Sequence, residues 1–139
     1  MVAIINRQRK HPINRKRIRS LIERLADRYG LGDADVSAVF VGTRAIRTLN
    51  RTYRKKDAPT DVLSFPVGRR GPDGRFALGD IVVSVPIAAR QAKARGHALG
   101  TEIEILVLHG FLHLAGFGHG AGPSSEERSL RRLLFGEDV

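Results

Sequence analysis

The sequence predicts a single α+β domain over residues 1–139, with a mixed, mostly four-stranded β-sheet, surrounding helices and one central buried helix. Three observations support this fold class. Short β-rich runs alternate with runs whose apolar residues recur at helical spacing. A Gly-rich stretch between two β-rich runs is typical of a hairpin. The most apolar helical run lies late in the chain, where it can pack against a sheet that the earlier strands have formed.

The first half of the chain alternates between predicted strands and helices. Asn14 and Thr43 each precede a run of helical periodicity, and side chains of these types cap helix N-termini. The predicted elements are a strand over Val2–Ile5, a helix from Asn14 to about Tyr29, a strand over Val36–Val41 and a helix from Thr43 to about Tyr53.

The second half predicts a hairpin and three helices. Thr101 and Glu104 have the spacing of a capping box, Gly116 is suited to end the helix that follows, and Leu130, Leu133 and Leu134 are expected in the core. The predicted elements are a strand over Val62–Phe65 that ends at Pro66, a loop over Gly68–Gly79, a strand over Ile81–Val85, and helices from Pro86 to about Arg95, from about Glu102 to Ala115 and from Ser124 or Ser125 to about Phe135.

Composition excludes several classes of protein. The chain has no cysteine, which excludes disulfides, thiolate metal ligands and a cysteine nucleophile. No apolar run approaches the ~20 residues that a membrane-spanning helix needs. The apolar start is short, and the charges follow it rather than precede it as in a signal peptide. We therefore expect a cytoplasmic protein that does not associate with membranes.

Basic residues are concentrated at one end of the sequence. The formal net charge is +10, and residues 1–60 hold 15 basic and 5 acidic side chains, whereas the remainder is balanced. This asymmetry favours a polyanionic partner such as nucleic acid, although a solvated basic face remains the alternative. The candidate RNA-phosphate contacts are Arg15, Arg17, Arg19, Arg51, Lys55 and Lys56.

A histidine motif in the most apolar helix predicts a metal site. His109 and His113 are four residues apart, so both rings project from one helix face and can reach one ion. After the turn expected at Gly116, His119 can supply a third ligand, as in the metzincin spacing H-E-x-x-H-x-x-G-x-x-H. The alternative is a set of hydrogen-bonded core histidines. Three imidazoles with an open fourth position best suit one zinc ion, Zn²⁺, with another divalent metal left open.

Gly110 stands where the metzincin motif carries its glutamate base. A metalloprotease built in this way would lack the group that takes a proton from water, and the basic charge also argues against a peptidase.

Several ordered motifs resemble the YbeY family. They are Thr60–Pro66 (TDVLSFP), Leu78–Ile81 (LGDI) and the segment from His109 to His119, and the match runs from about Leu49 to His119. The family comprises bacterial metal-dependent single-strand endoribonucleases that act in ribosomal RNA maturation and ribosome quality control. The resemblance implies single-stranded or ribosomal RNA as substrate and the small ribosomal subunit as partner.

The resemblance also assigns site residues. The family's metal-binding histidines correspond to His109, His113 and His119, and its cleft arginine corresponds to Arg54. Metal-bound water is expected to attack an RNA phosphodiester while Arg54 stabilises the phosphate. The family's usual Asp before the third histidine is Gly118 here, and the C-terminal helix lacks the family's Met and Glu pattern. A non-catalytic, zinc-containing, ribosome-associated RNA-binding protein remains an alternative, as does a metalloprotease.

Overall fold

The computed structural model describes residues 1–118 and 122–136. Within these ranges the chain folds as one α+β domain with four strands and five helices, in the predicted order. The elements are β1 (Val2–Asn6), α1 (Arg15–Arg28), β2 (Asp35–Val41), α2 (Thr43–Arg54), β3 (Val62–Arg70), β4 (Phe76–Ser84), α3 (Val85–Arg95), α4 (Leu99–Leu114) and α5 (Ser125–Phe135).

The four strands form one mixed sheet in the order β1-β2-β4-β3. β1 pairs with β2, and β2 with β4, in parallel, whereas the β3–β4 hairpin is antiparallel. β1 and β3 are therefore the edge strands. This topology leaves one side of β3 without a strand neighbour among the described residues, and the candidate site lies at that edge.

The side chains of the sheet alternate between two apolar layers, as strand geometry requires. Phe40, Ile81 and Val83 belong to the larger core, which α1 and α4 complete. Val41 and Val82 point to the other face and pack with Ile46 of α2. The two faces thus carry different helices, with α4 on one side of β3 and α2 on the other.

Helix α4 is the predicted central buried helix. Its side chains Ile105, Leu108 and Leu112 are fully buried. At Gly110 the helix lies so close to the sheet that a Cβ would come within 2.6 Å of Cγ2 of Ile81. Glycine is required at this position because a longer residue would push α4 off β4.

The β3–β4 hairpin is longer than the sequence predicted. Pro66 does not end β3, which continues to Arg70, and the predicted loop shrinks to the tip between Arg70 and Phe76. Proline is tolerated here because β3 is an edge strand, and the pairing register shifts directly after it.

Two of the predicted helix caps are wrong. Helix α4 begins at Leu99 with no side-chain cap, and Glu104 binds Arg17 instead of forming a capping box. Thr43 is the first residue of α2 rather than its cap. The Asn14 cap is confirmed, since its side chain accepts a hydrogen bond from the backbone N–H of Arg17.

Helix α5 packs through only part of its predicted apolar stripe. Leu130 is buried, but Leu133 is 71% exposed. Among the described residues, no helix combines the length and apolar character needed to cross a membrane.

Candidate active site

A cleft of about 440 Å³ lies between the free edge of β3 and the C-terminal half of α4. His109 and His113 line it from α4, and their ring centroids are 4.4 Å apart. Four residues of β3 and the side chain of Arg54 contribute to the same cleft. The i, i+4 spacing thus places the two imidazoles side by side on one accessible face of α4.

Arg54 reaches this cleft from the last turn of α2. The helix ends directly after it, at Lys55, whose φ of 61° is left-handed. Nη2 of Arg54 donates a hydrogen bond to the Ser64 carbonyl at the outer side of β3. Ser64 in turn donates its hydroxyl to the Gly110 carbonyl over 3.1 Å, which connects β3 to α4. Arg54 is thus held at the rim of the histidine cleft.

Glu127 of α5 supports His109 from behind the cleft. Its side chain is 2% exposed, and Oε1 lies 2.7 Å from Nδ1 of His109. Its other oxygen accepts a hydrogen bond of 2.7 Å from Arg131, one turn further along α5. Ser124 caps the helix by accepting from the Glu127 backbone N–H. The helix start thus places this carboxylate against the imidazole.

The charge state of Glu127 determines which nitrogen of His109 carries the proton. Burial opposes ionisation, but the hydrogen bonds and charges of His109 and Arg131 outweigh it, so the pKa of Glu127 lies below its ordinary value. At neutral pH the side chain is a carboxylate, which only accepts hydrogen bonds. Nδ1 of His109 must therefore be the donor, which in the neutral ring leaves the lone pair on Nε2.

This donor set fits a divalent metal ion. A ligating histidine commonly donates its second ring N–H to a carboxylate, and His109 has such a partner in Glu127. His113 lies beside it, while His119, the third predicted ligand, falls outside the described residues. Over residues 1–118 and 122–136, no group of three or more His, Cys, Asp or Glu side chains is placed to hold a metal. The described residues thus supply two of the three predicted ligands, His109 and His113.

Gly118 lies against the ring of His113. Its φ is 124°, and a Cβ there would lie 2.8 Å from Nε2 of His113. In this backbone conformation the aspartate that is usual in the family would collide with the imidazole. The buried carboxylate that contacts His109 is Glu127.

The predicted RNA contacts fall into two groups. Arg51, Lys55 and Lys56 are exposed near Arg54 at the end of α2. The α1 group has partners within the chain: Arg15 and Arg19 donate to carbonyls of the edge strand β1, and Arg17 makes a two-fold hydrogen bond to Glu104. The structure therefore separates a basic surface at the cleft from arginines that tie α1 to β1 and α4.

Sequence reasoning missed Glu127 as a site residue. The family pattern points to the position before His119, whereas Glu127 lies in the first turn of α5. The sequence gives only a weak indication of this role. An acidic residue in the first turn of a helix is already explained by its favourable interaction with the helix dipole, so it does not by itself predict a contact with a histidine.

The fold and the cleft define a class of protein: an α+β domain whose buried helix presents two histidines to a cleft bordered by an arginine from another helix. The family model described as Endoribonuclease YbeY matches residues 3–133. The chain belongs to the YbeY family.

Individual relatives agree with this assignment. Endoribonuclease YbeY of Moorella thermoacetica is 42% identical, over 96% of this chain and 95% of the relative. The protein of the same name from Geobacter metallireducens is 40% identical, over 93% and 87%. A solution structure of a Thermotoga maritima protein superposes with a TM-score of 0.66 at 27% identity, covering 96% of this chain and 85% of that one.

Proposed function

We propose that this protein is a single-strand-specific endoribonuclease that acts in ribosomal RNA maturation and ribosome quality control. The observation that carries the proposal is the joint cleft of His109, His113 and Arg54, found in a chain whose relatives are named endoribonucleases. The +10 net charge supports a polyanionic substrate. The small ribosomal subunit is the proposed partner, and the cytoplasm the proposed location.

The proposed cofactor is one zinc ion held by His109, His113 and His119. When bound, the ion would supply Lewis-acid stabilisation of charge and activation of water. Glu127 keeps the His109 ring fixed with Nε2 available. Neutral imidazoles suit zinc, and the buried carboxylate behind one of them is the second contact that such a ligand needs.

Arg54 is the proposed phosphate-binding residue. Its Nη2 is held by the Ser64 carbonyl, and a guanidinium has five N–H donors, so further donors can face the cleft. Two parallel hydrogen bonds to non-bridging phosphate oxygens would hold a phosphodiester next to the histidines and stabilise the charge that develops during hydrolysis.

A metalloprotease function has less support. Its glutamate base would have to replace Gly110, where even a Cβ would come within 2.6 Å of Ile81. A non-catalytic RNA-binding protein with the same metal site is the remaining alternative, and it predicts RNA binding without cleavage.

Cleavage assays separate these functions. The zinc-loaded protein is incubated with labelled single-stranded RNA, with duplex RNA of the same sequence and with unfolded casein. We expect the single-stranded RNA to be cleaved and the duplex RNA and the casein to remain intact. Arg54→Ala should fold normally and cleave roughly 10²–10³-fold more slowly, and Arg54→Lys should recover only part of this loss.

Arg44→Ala is the matched control, because Arg44 is an exposed arginine at the opposite end of α2. It should cleave at the wild-type rate. An Arg54→Ala protein as fast as Arg44→Ala would refute the role of Arg54. RNA binding without cleavage by the zinc-loaded wild type would favour the non-catalytic alternative.

A further inference from the structure

Tyr53 is an exposed aromatic residue next to the candidate phosphate site. Its side chain is 62% exposed, and it is the aromatic member of the exposed large hydrophobic residues in the described ranges. The ring packs edge-on against Phe65 of β3, with centroids 5.4 Å apart and an angle of 72° between planes. This contact holds the tyrosine ring in place while most of it faces solvent.

The Tyr53–Phe65 pair is continuous with the cleft through Arg54. The Arg54 guanidinium carbon lies 5.5 Å from the centroid of the Phe65 ring, and Nη2 bonds the carbonyl of Ser64. Phe65 stands on β3 between Ser64 and Pro66, which both line the cleft. A surface therefore runs from the histidines over the edge of β3 to Arg54, Phe65 and Tyr53.

The charges around this surface favour a nucleic-acid strand. Arg51, Lys55 and Lys56 are exposed on the same helix end. Asp57 is the one acidic residue between positions 51 and 57. It forms an ion pair with Arg47 at 2.9 Å, and this pairing offsets the repulsion between Asp57 and phosphates. Cations along a backbone path beside an aromatic ring are the usual means of binding single strands.

We propose that Tyr53, supported by Phe65, stacks on a nucleobase of the RNA strand whose phosphate Arg54 binds. This inference rests on the proposed endoribonuclease function and specifies part of its substrate site. Bases in a duplex are stacked on each other and paired, so their faces are not available to a side chain. The Tyr53 platform thus favours single strands, and it discriminates little between sequences because every base has a π-face.

A binding experiment tests the platform. Affinity of the full chain is measured by fluorescence anisotropy for a labelled single-stranded RNA and for a strand of the same length with an abasic stretch. Tyr53→Ala should weaken binding of the normal strand roughly 5- to 150-fold, and Tyr53→Phe should bind nearly as the wild type. On the abasic strand the loss should disappear, since the sugar–phosphate backbone has no ring to stack.

A spectroscopic measurement reports the stacking itself. RNAs with 2-aminopurine at successive positions should show quenching by the wild type at one position near the bound phosphate, and none there with Tyr53→Ala. Leu133→Ala is the control, because Leu133 is an exposed apolar residue on α5. Thermal unfolding should be similar for all variants, since both truncated side chains are on the surface.

The salt dependence distinguishes stacking from charge. Tyr53→Ala should leave the slope of log affinity against log salt unchanged, whereas Lys55→Ala should reduce it by about one. Equal affinities of Tyr53→Ala and wild type, or an equal loss on the abasic strand, would overturn the platform. If the wild type neither binds nor cleaves single-stranded RNA, the proposed function itself fails.

Discussion

Replacing Glu127 with glutamine tests whether the buried carboxylate prepares His109 for metal binding. The two side chains have nearly the same shape, so the change removes charge and one acceptor without opening a cavity. The Arg131 guanidinium can only donate hydrogen bonds, so the amide oxygen of the introduced glutamine has to turn toward it and accept. The amide NH₂ then faces Nδ1 of His109, which has to accept. The ring proton moves to Nε2, the nitrogen needed by a metal.

The expected size of the effect follows from this geometry. Loss of the partner behind a metal-binding histidine costs typically 10–100-fold in metal affinity, which corresponds to about 1.4–2.8 kcal/mol. Glu127 is 2% exposed, so water cannot replace the lost acceptor. We therefore expect Glu127→Gln to lose zinc affinity by an amount near the upper end of this range, about 100-fold.

Zinc affinity is measured by competition with a chromophoric chelator, and the tautomer of metal-free His109 by ¹⁵N NMR. Glu126→Gln is the matched control: it makes the same chemical change in the same helix turn, where Glu126 contacts Tyr29 rather than His109. A folded Glu127→Gln protein with wild-type zinc affinity and an unchanged His109 tautomer would refute this account of the carboxylate.

Two further predictions concern the fold. Gly110→Ala should lower the free energy of unfolding in urea by about 1–3 kcal/mol, because the added Cβ overlaps Ile81. Gly100→Ala on the same helix is the control: its Cβ meets nothing closer than 3.4 Å, so this variant should be as stable as the wild type or slightly more stable. Equal stabilities of the two variants would show that α4 can shift freely. Hydrogen bonds from Arg75, and then from the N-terminal ammonium, lower the pKa of Asp35 from 3.8 to about 2, so this carboxylate stabilises the fold above its ordinary pKa and loses that contribution as pH falls through about 2. Asp35→Asn should therefore lose less stability than the wild type between pH 5 and pH 2 in thermal melts, and parallel acid curves would contradict the shift.

The sequence predicted the features that depend on local periodicity. Alternating apolar residues identified the order of strands and helices, and the i, i+4 spacing placed His109 and His113 on one face wherever the helix packed. Arg54 followed from the family motif, and the structure places it at the same cleft.

The structure departs from the sequence predictions where a local rule competes with a distant partner. Pro66 ends a strand in isolation, but β3 is an edge strand and can accommodate it. Thr101 and Glu104 have capping-box spacing, yet Glu104 gains more from the charged side chain of Arg17 on α1.

What only the tertiary structure decided is which distant side chains meet. Glu127 contacts His109 because α5 folds back on α4, and Tyr53 lies next to the cleft because α2 ends at the free edge of β3. Neither contact follows from a regular spacing in the sequence, since each depends on how whole helices and strands pack together. Residue types and local spacing therefore determined the histidine pair by themselves, whereas the packing of α2, β3 and α5 determined the groups that surround it.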